Sequence, residues 1–128
     1  LAWKLRKDPR VTVMERTNAM HATLPELVQL VTVDVAWTKQ KHILPAARRM
    51  LRNDGICISL IKPHYEANPS LLKSGVLPER EVEEVIESIL PSLADAGFTL
   101  AKISTSPIKG AKGNVESLAL LRPIGSAG

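Results

Sequence analysis

Residues 56–63 read Ile-Cys-Ile-Ser-Leu-Ile-Lys-Pro, a run that is apolar on both faces and ends abruptly in a lysine. This pattern is typical of a parallel strand that is covered by helices on both sides. Pro63 ends the strand because proline lacks a backbone N–H donor. In open α/β sheets, ligands bind outside the carboxyl ends of the strands. Lys62 is therefore the first candidate for a functional residue.

The preceding strand, residues 29–35, repeats this arrangement. It reads Gln-Leu-Val-Thr-Val-Asp-Val and carries Asp34 near its carboxyl end. Neighbouring strands lie about 4.8 Å apart. If these two strands are neighbours, Asp34 and Lys62 meet at the same edge of the sheet.

A third candidate, Glu116, belongs to the last predicted strand, residues 114–121. Taken singly, a charged residue at a strand end is more simply interpreted as a solvated terminus. Taken together, Asp34, Lys62 and Glu116 place two carboxylates beside one ammonium group. Such an arrangement in a cleft can hold the lysine where it orients or deprotonates a hydroxyl nucleophile.

The other predicted elements alternate between strands and helices. Residues 1–7 resemble the end of a helix, residues 39–52 and 78–96 have the helical apolar period, and residues 63–77 form a long loop. Asn53-Asp54-Gly55 predicts a left-handed helix stop, and Pro91 predicts a kink. Strands are predicted at 10–14, 29–35, 56–61, Phe98–Thr105 and 114–121. Because the connection between the last two is short, they should pair antiparallel, so the order predicts an α/β fold with a mostly parallel sheet and a C-terminal hairpin.

Composition narrows the class of protein. The chain has 128 residues, of which 45% are apolar and 23% charged, as expected for one globular domain. The net charge of +4 is mild and does not by itself predict a nucleic-acid partner. Cys57 is the single cysteine, so no intrachain disulfide can form, and a reducing, cytoplasmic location fits. No apolar run approaches the roughly 20 residues of a membrane span, so no membrane partner is expected.

Several motifs in order carry a resemblance to a known family. They are Asp8-Pro-Arg-Val, Glu15-Arg-Thr-Asn-Ala, Asp34-Val, the run 60–66 (Leu-Ile-Lys-Pro-His-Tyr-Glu) and the run 106–116 (Ser-Pro-Ile-Lys-Gly-Ala-Lys-Gly-Asn-Val-Glu). From Leu1 to about Leu121, the chain resembles the FtsJ-like methyltransferase domain of the TlyA-type hemolysin family. The resemblance implies a partial Rossmann-like class I methyltransferase sheet, S-adenosylmethionine as cofactor, and the ribose 2′-hydroxyl of ribosomal RNA as substrate.

The family uses a Lys-Asp-Lys-Glu catalytic set, and its last three members correspond to Asp34, Lys62 and Glu116. The resemblance implies that Lys62 activates the 2′-hydroxyl while the two acids position it. Thr17 and Asn18 would lie near the adenine of the cofactor, with Asp34 also on the cofactor side.

The chain departs from the family pattern. The first catalytic lysine, the first two strands with the glycine-rich cofactor loop, and the ribose-binding acid have no counterpart in residues 1–128, and neither has the N-terminal RNA-binding domain. Ala36 and Trp37 stand where Ser-Phe is expected, and Met20 where an arginine is expected. We therefore expect an incomplete methyltransferase domain over 1–122 and a flexible tail over 123–128. By itself this chain should be inactive and should show no tight cofactor binding in calorimetry.

The two strands without a counterpart would lie between strand 10–14 and strand 29–35. Their absence would expose an edge of the strand that carries Asp34, and bare edges recruit partners. We expect either that residues 10–14 pair with this edge or that the chain forms a homodimer through it.

Other interpretations stay open. The chain can instead be a non-catalytic RNA-binding or self-associating module on the same half-sheet. Trp3 and Trp37 either stack on a base or pack in a crevice, and His64 and Tyr65 either line a substrate groove or belong to a surface loop. Residues 109–113 either cradle RNA phosphates or form a flexible turn. No metal site is expected, because the histidines lack ligand spacing with the cysteine.

Overall fold

The computed structural model describes residues 1–125 of the chain. It contains four strands, β1 (Val28–Val33), β2 (Leu51–Ile61), β3 (Phe98–Thr105) and β4 (Ser117–Pro123). The helices are α1 (Trp3–Arg6), α2 (Gln40–Met50), α3 (Pro63–Glu66) and α4 (Glu79–Asp95), with 3₁₀ turns at Ala19–His21, Pro69–Leu71 and Ala111–Gly113.

The four strands form one mixed sheet in the order β1-β2-β4-β3. β1 and β2 are parallel, whereas β4 is antiparallel to both β2 and β3. The predicted α/β class and the C-terminal hairpin are therefore confirmed. The sheet contains one parallel pair and is not mostly parallel, because residues 10–14 do not form the predicted strand.

Helices α2 and α4 cover one face of the sheet. Their buried side chains Leu44 and Leu93 join Ile61 and Leu121 of the sheet in the main core. Cys57 lies in the same core, and burial raises the pKa of its thiol to about 11, so the thiol is not a nucleophile at neutral pH.

The opposite face of the sheet is not covered within residues 1–125. Side chains alternate between the two faces of a strand, and the alternate apolar residues of β1, β2 and β4 remain half-buried or exposed, among them Leu30 and Leu118. The expectation of helices on both sides of the strand at 56–61 is wrong for the described chain. Its apolar residues on the second face are half-buried.

The predicted left-handed stop at Asn53-Asp54-Gly55 is also wrong. Helix α2 ends at Met50, and β2 begins directly at Leu51, whose backbone is extended. A Cβ on Gly55 would lie 2.7 Å from the Gln29 carbonyl oxygen and 2.6 Å from the Leu51 side chain. Glycine is needed here for close approach of two strands, not for a helix end.

The segment predicted as a loop, 63–77, is built from α3, the 3₁₀ turn Pro69–Leu71 and a β-bridge between Lys73 and Val76. Helix α4 agrees with the predicted helix and continues through Pro91. Pro123 is the last residue of β4, and the Ile124 amide donates to the Gly97 carbonyl at 2.9 Å. The rest of the predicted flexible tail, 126–128, lies outside the described residues.

The outer edge of β1 is open in the described chain. An apolar groove of about 210 Å³ is lined by residues of β1 and α2 and by Ala19. Residues 10–14 do not pair with this edge, so that half of the edge hypothesis is wrong. A homodimer through the edge stays a prediction.

Candidate active site

Lys62 and Asp34 meet at the carboxyl ends of the parallel pair β1 and β2, as the strand-end pattern predicts. The Lys62 ammonium lies 2.8 Å from the Asp34 carboxylate and donates to the Val35 carbonyl oxygen at 3.2 Å. The Lys62 side chain is only 13% exposed, whereas that of Asp34 is 71% exposed. An ammonium group has three donors, so two contacts leave one hydrogen free for a third oxygen.

Glu116 precedes β4 instead of lying on it. The register pairs Ile61 with Ser117, so Lys62 and Glu116 leave the sheet side by side at the same edge. Glu116 is 8% exposed, and within residues 1–125 no ion pair within 4.0 Å joins it to Lys62. Its carboxylate fits under the loop at Gly110, where a Cβ would lie 2.0 Å from Oε2. Asp34, Lys62 and Glu116 therefore converge on one edge, with only the first two in direct contact.

An aromatic pair stands beside this edge. Trp37 is 87% exposed and stacks on Tyr65, with ring centroids 5.2 Å apart and planes inclined by 28°. The Lys62 ammonium lies 5.6 Å from the centroid of the Tyr65 ring. Trp37 has a φ of +57°, a left-handed conformation that is uncommon outside glycine. An indole this exposed is packed neither in the core nor in a crevice, so that interpretation is wrong for Trp37.

The path of the chain explains why Tyr65 returns over Lys62. Pro63 is the first residue of α3, where its fixed φ and missing N–H favour a helix start. The chain therefore turns immediately after Lys62, and the Tyr65 amide donates to the Lys62 carbonyl at 2.9 Å.

His64 is buried on the inner side of α3. It is 7% exposed, and in the described chain neither ring nitrogen has a hydrogen-bond partner. Its ring centroid is 4.4 Å from that of Tyr65. Burial, helped by the charge of Lys62, lowers the pKa of His64 below 6.5, so the ring is neutral at pH 7.

This lowered pKa predicts an acid-sensitive stability. Below pH 6.5 the unfolded chain binds a proton at this residue more readily than the native chain, so stability is complete above pH 6.5 and falls as the pH drops. His64→Phe should remove this component while keeping the ring contact with Tyr65. Urea unfolding at pH 7.5 and pH 5.5 measures the difference.

The matched control is His21→Gln, which removes an exposed histidine and leaves His64 in place. The unfolding curve of His64→Phe should shift less between the two pH values than that of the unaltered protein. Equal shifts would contradict His64 as the source of the acid sensitivity.

Three polar residues form a partly buried cluster, in which Gln40 and Ser59 are buried and Glu66 is half-buried. The backbone amide of Gln40 donates to Glu66 Oε1 at 2.7 Å, and the Ser59 hydroxyl donates to the side-chain oxygen Gln40 Oε1 at 2.6 Å. Gln40 Nε2 also donates to the Leu60 carbonyl at 3.4 Å. Burial raises the pKa of Glu66, against the opposing effects of the Gln40 amide and nearby cations. We call Glu66, Gln40 and Ser59 the polar clasp.

Thr17 and Asn18 bond within their own turn. The Thr17 hydroxyl donates to the Glu15 carbonyl at 3.1 Å, and Asn18 Oδ1 accepts from the Met20 amide at 2.9 Å. The structure does not bring either side chain into contact with Asp34. Ala19, the next residue, lines the groove on which Asp34 also lies.

The lysine–glycine loop is tied to the segment before α4. Lys109 pairs with Glu79 at 3.4 Å, and Lys112 donates to the Ser74 carbonyl at 3.4 Å. The buried Asn114 accepts from the Leu77 amide at 2.9 Å. Both interpretations of residues 109–113, a phosphate cradle and a flexible turn, stay predictions.

Within residues 1–125, no group of three or more His, Cys, Asp and Glu side chains could hold a metal ion. In the same part of the chain, no helix has the length and apolar character that a bilayer crossing requires.

Comparison with known proteins shows which family the chain is similar to. The FtsJ-like methyltransferase family model matches residues 1–122. The "Putative rRNA methyltransferase YqxC" of Bacillus subtilis is 38% identical over 124 residues, covering 92% of this chain and 44% of the relative. The "16S/23S rRNA (cytidine-2'-O)-methyltransferase TlyA" of Mycobacterium tuberculosis is 33% identical, covering 95% of this chain and 47% of the relative.

A solved structure has the same fold as this chain. The "Putative hemolysin from Streptococcus thermophilus" has a TM-score of 0.92 and 34% identity, covering 98% of this chain and 48% of the other. The α/β sheet, with charged residues at the carboxyl ends of its parallel pair, is that of a methyltransferase-like domain. The chain belongs to the FtsJ-like methyltransferase family, as its motifs indicate. It spans about half the length of the curated relatives it matches.

Sequence reasoning missed the polar clasp. Gln40 and Glu66 are 26 positions apart, and no local pattern connects them. A signal was present, because Lys39 at the start of α2 is a poor helix cap, which indicates that another residue caps the helix.

Proposed function

We propose that this chain carries the acceptor side of an S-adenosylmethionine-dependent RNA methyltransferase that acts on a ribose 2′-hydroxyl of ribosomal RNA. The ion pair between Lys62 and Asp34 at the edge of the parallel pair is the observation that carries the proposal. Family membership supports the reaction class, and the cytidine-2'-O-methyltransferase activity of the Mycobacterium tuberculosis relative supports the acceptor group.

Lys62 is the residue that contacts the hydroxyl in this proposal. Asp34 and the Val35 carbonyl accept two of the three ammonium hydrogens. The third hydrogen remains to donate to a substrate oxygen. Lys62 thereby orients the hydroxyl oxygen for attack. After releasing one ammonium proton to solvent, the Lys62 amine accepts the hydroxyl proton while the oxygen–methyl bond forms and the sulfonium–methyl bond breaks. Glu116, beside Lys62 at the same edge, completes the acidic surroundings of the sugar.

The cofactor, when bound, supplies an electrophilic methyl group on a sulfonium. The exposed carboxylate of Asp34 suits a ligand that carries cationic sulfonium and ammonium groups. Thr17 and Asn18 remain candidates for the adenine end through their backbone, since their side chains are engaged in their own turn.

The exposed aromatic pair supports RNA as the substrate. Single-stranded RNA is recognised by stacking of bases on aromatic side chains. Trp37 is 87% exposed and stacks on Tyr65, whose ring lies 5.6 Å from the Lys62 ammonium, so the base of the reacting nucleotide would lie on the indole. The alternative, a non-catalytic RNA-binding module, would use the same aromatic pair without needing the Lys62–Asp34 pair.

The test is nucleoside analysis of ribosomal RNA after incubation with the cofactor. It should use this chain by itself and a chimera in which the chain replaces the matching segment of the Bacillus subtilis relative. We expect 2′-O-methylated nucleosides from the chimera. A folded chimera that binds the cofactor and RNA but forms no such product would overturn the enzyme proposal and favour the binding module.

A further inference from the structure

The polar clasp joins the two segments that carry the candidate catalytic residues. One segment, 34–40, runs from Asp34 through Trp37 to the first residue of α2. The other, 62–66, contains Lys62 and α3. The Glu66 carboxylate accepts a hydrogen bond from the backbone amide of Gln40 at 2.7 Å. The Gln40 side chain is hydrogen-bonded to the Ser59 hydroxyl and to the Leu60 carbonyl of β2.

We propose that Glu66 is a positioning residue that, through Gln40, sets the spacing between Asp34 with Trp37 on one side and Lys62 with Tyr65 on the other. The effect of Glu66 on catalysis rests on the proposed function. The effect of Glu66 on the spacing of the two segments does not, because the clasp is present in this chain with or without a reaction.

A helix needs no distant partner for its first turn. Ser, Thr, Asp or Asn at the N-cap accepts a backbone N–H of the first turn and satisfies it locally. Here the N-cap is Lys39, whose side chain makes no capping bond. Glu66 of α3 instead accepts the backbone N–H of Gln40, the first residue of α2. A local cap at position 39 would bond the next amides of the first turn and would leave α3 free to move.

The burial of the clasp supports this interpretation. Gln40 is 3% exposed and Ser59 is fully buried. Burying the Glu66 carboxylate is unfavourable, as its raised pKa indicates. A buried polar network whose members are bonded favours one arrangement of the elements it joins. Those elements present the Trp37–Tyr65 stack and the Lys62–Asp34 pair.

The experiment separates positioning from capping. Glu66→Ala removes the distant acceptor of the Gln40 backbone amide. Lys39→Asp supplies an N-cap acceptor for the backbone amide of Lys41 or His42, so the double variant strengthens the start of α2 without restoring the tie to α3. In a Trp3→Phe background Trp37 is the single tryptophan, and its time-resolved fluorescence anisotropy reports on the stack with Tyr65. Glu84→Ala, on the exposed side of α4, is the matched control.

We expect Glu66→Ala to increase the nanosecond mobility of Trp37 and to lower thermal stability. The double variant should regain stability but keep the mobile Trp37. Recovery of both in the double variant would show that Glu66 is only a cap, and an unchanged Trp37 in Glu66→Ala would also overturn the proposal. These measurements use the chain without RNA or cofactor, so they do not depend on the proposed reaction.

In the chimera, Glu66→Ala should lower kcat by about 10- to 100-fold, as misplacement of a reacting group by roughly 1 Å can do. The KM for RNA should change little. A loss confined to KM would place Glu66 in RNA binding instead.

Discussion

Lys62→Met should lower methyl transfer by the chimera by about 10²- to 10⁴-fold, the range typical of a lost general acid–base group. Methionine keeps much of the length and apolar contact of the lysine stem but removes the ammonium group beside Asp34. Binding of S-adenosylmethionine should be retained, because Lys62 contacts the acceptor side in the proposed site. Single-turnover methylation with labelled cofactor measures the rate, and calorimetry measures binding.

The variant should remain folded. An ion pair whose carboxylate is as exposed as that of Asp34 contributes only about 0–1 kcal/mol to stability. The exposed Lys73, which lies in the segment between α3 and α4, gives the matched control Lys73→Met. Turnover by Lys62→Met equal to that of Lys73→Met would remove Lys62 from the mechanism.

Lys62→Arg refines the assignment. Arginine keeps the positive charge and can still pair with Asp34, but it does not lose its proton in proteins. If Lys62 only orients the hydroxyl, Lys62→Arg should retain more activity than Lys62→Met. Equal losses in the two variants would indicate that proton transfer or the exact reach of the ammonium group is required.

The meeting of Asp34 and Lys62 could be predicted because it depends on two local facts. Each residue follows an apolar strand, and the carboxyl ends of parallel neighbours share one edge of a sheet. The hairpin of β3 and β4 was predictable for a similar reason, since a short connection forces antiparallel pairing. These features follow from strand period and loop length, which a single sequence displays.

Features that depend on distant contacts could not be predicted. Gly55 resembles a helix stop, but its role comes from the Gln29 carbonyl, which reaches it only after β1 and β2 pair. Glu66 gains its role from Gln40, and the choice between stacking and crevice packing for Trp37 required its exposure. The apolar residues at 56–61 predicted helices on both faces, yet within residues 1–125 one face lies open.

Gly110→Ala should destabilise the chain by about 1–3 kcal/mol, as overpacking of a filled site does. The added Cβ would lie 2.0 Å from Glu116 Oε2 and 2.6 Å from Glu116 Cδ. Glu116 is 8% exposed and has little room to move away. The loop is itself held, because the Gly110 amide donates to the Asn114 carbonyl at 2.8 Å. Either Glu116 or the loop must therefore shift, and methyl transfer by the chimera should fall as well.

A double-mutant cycle in urea unfolding of the chain isolates this contact. Glu116→Ala removes the obstructing atoms, so Gly110→Ala should cost much less stability in that background, with a coupling of about 0.5–3 kcal/mol. Gly113→Ala is the matched control. Gly113 has a φ of +80°, and a Cβ added there would meet no atom within 4 Å, so the cost comes from backbone conformation and should not depend on Glu116. Additive effects of Gly110→Ala and Glu116→Ala would show that the Glu116 carboxylate does not lie against this loop.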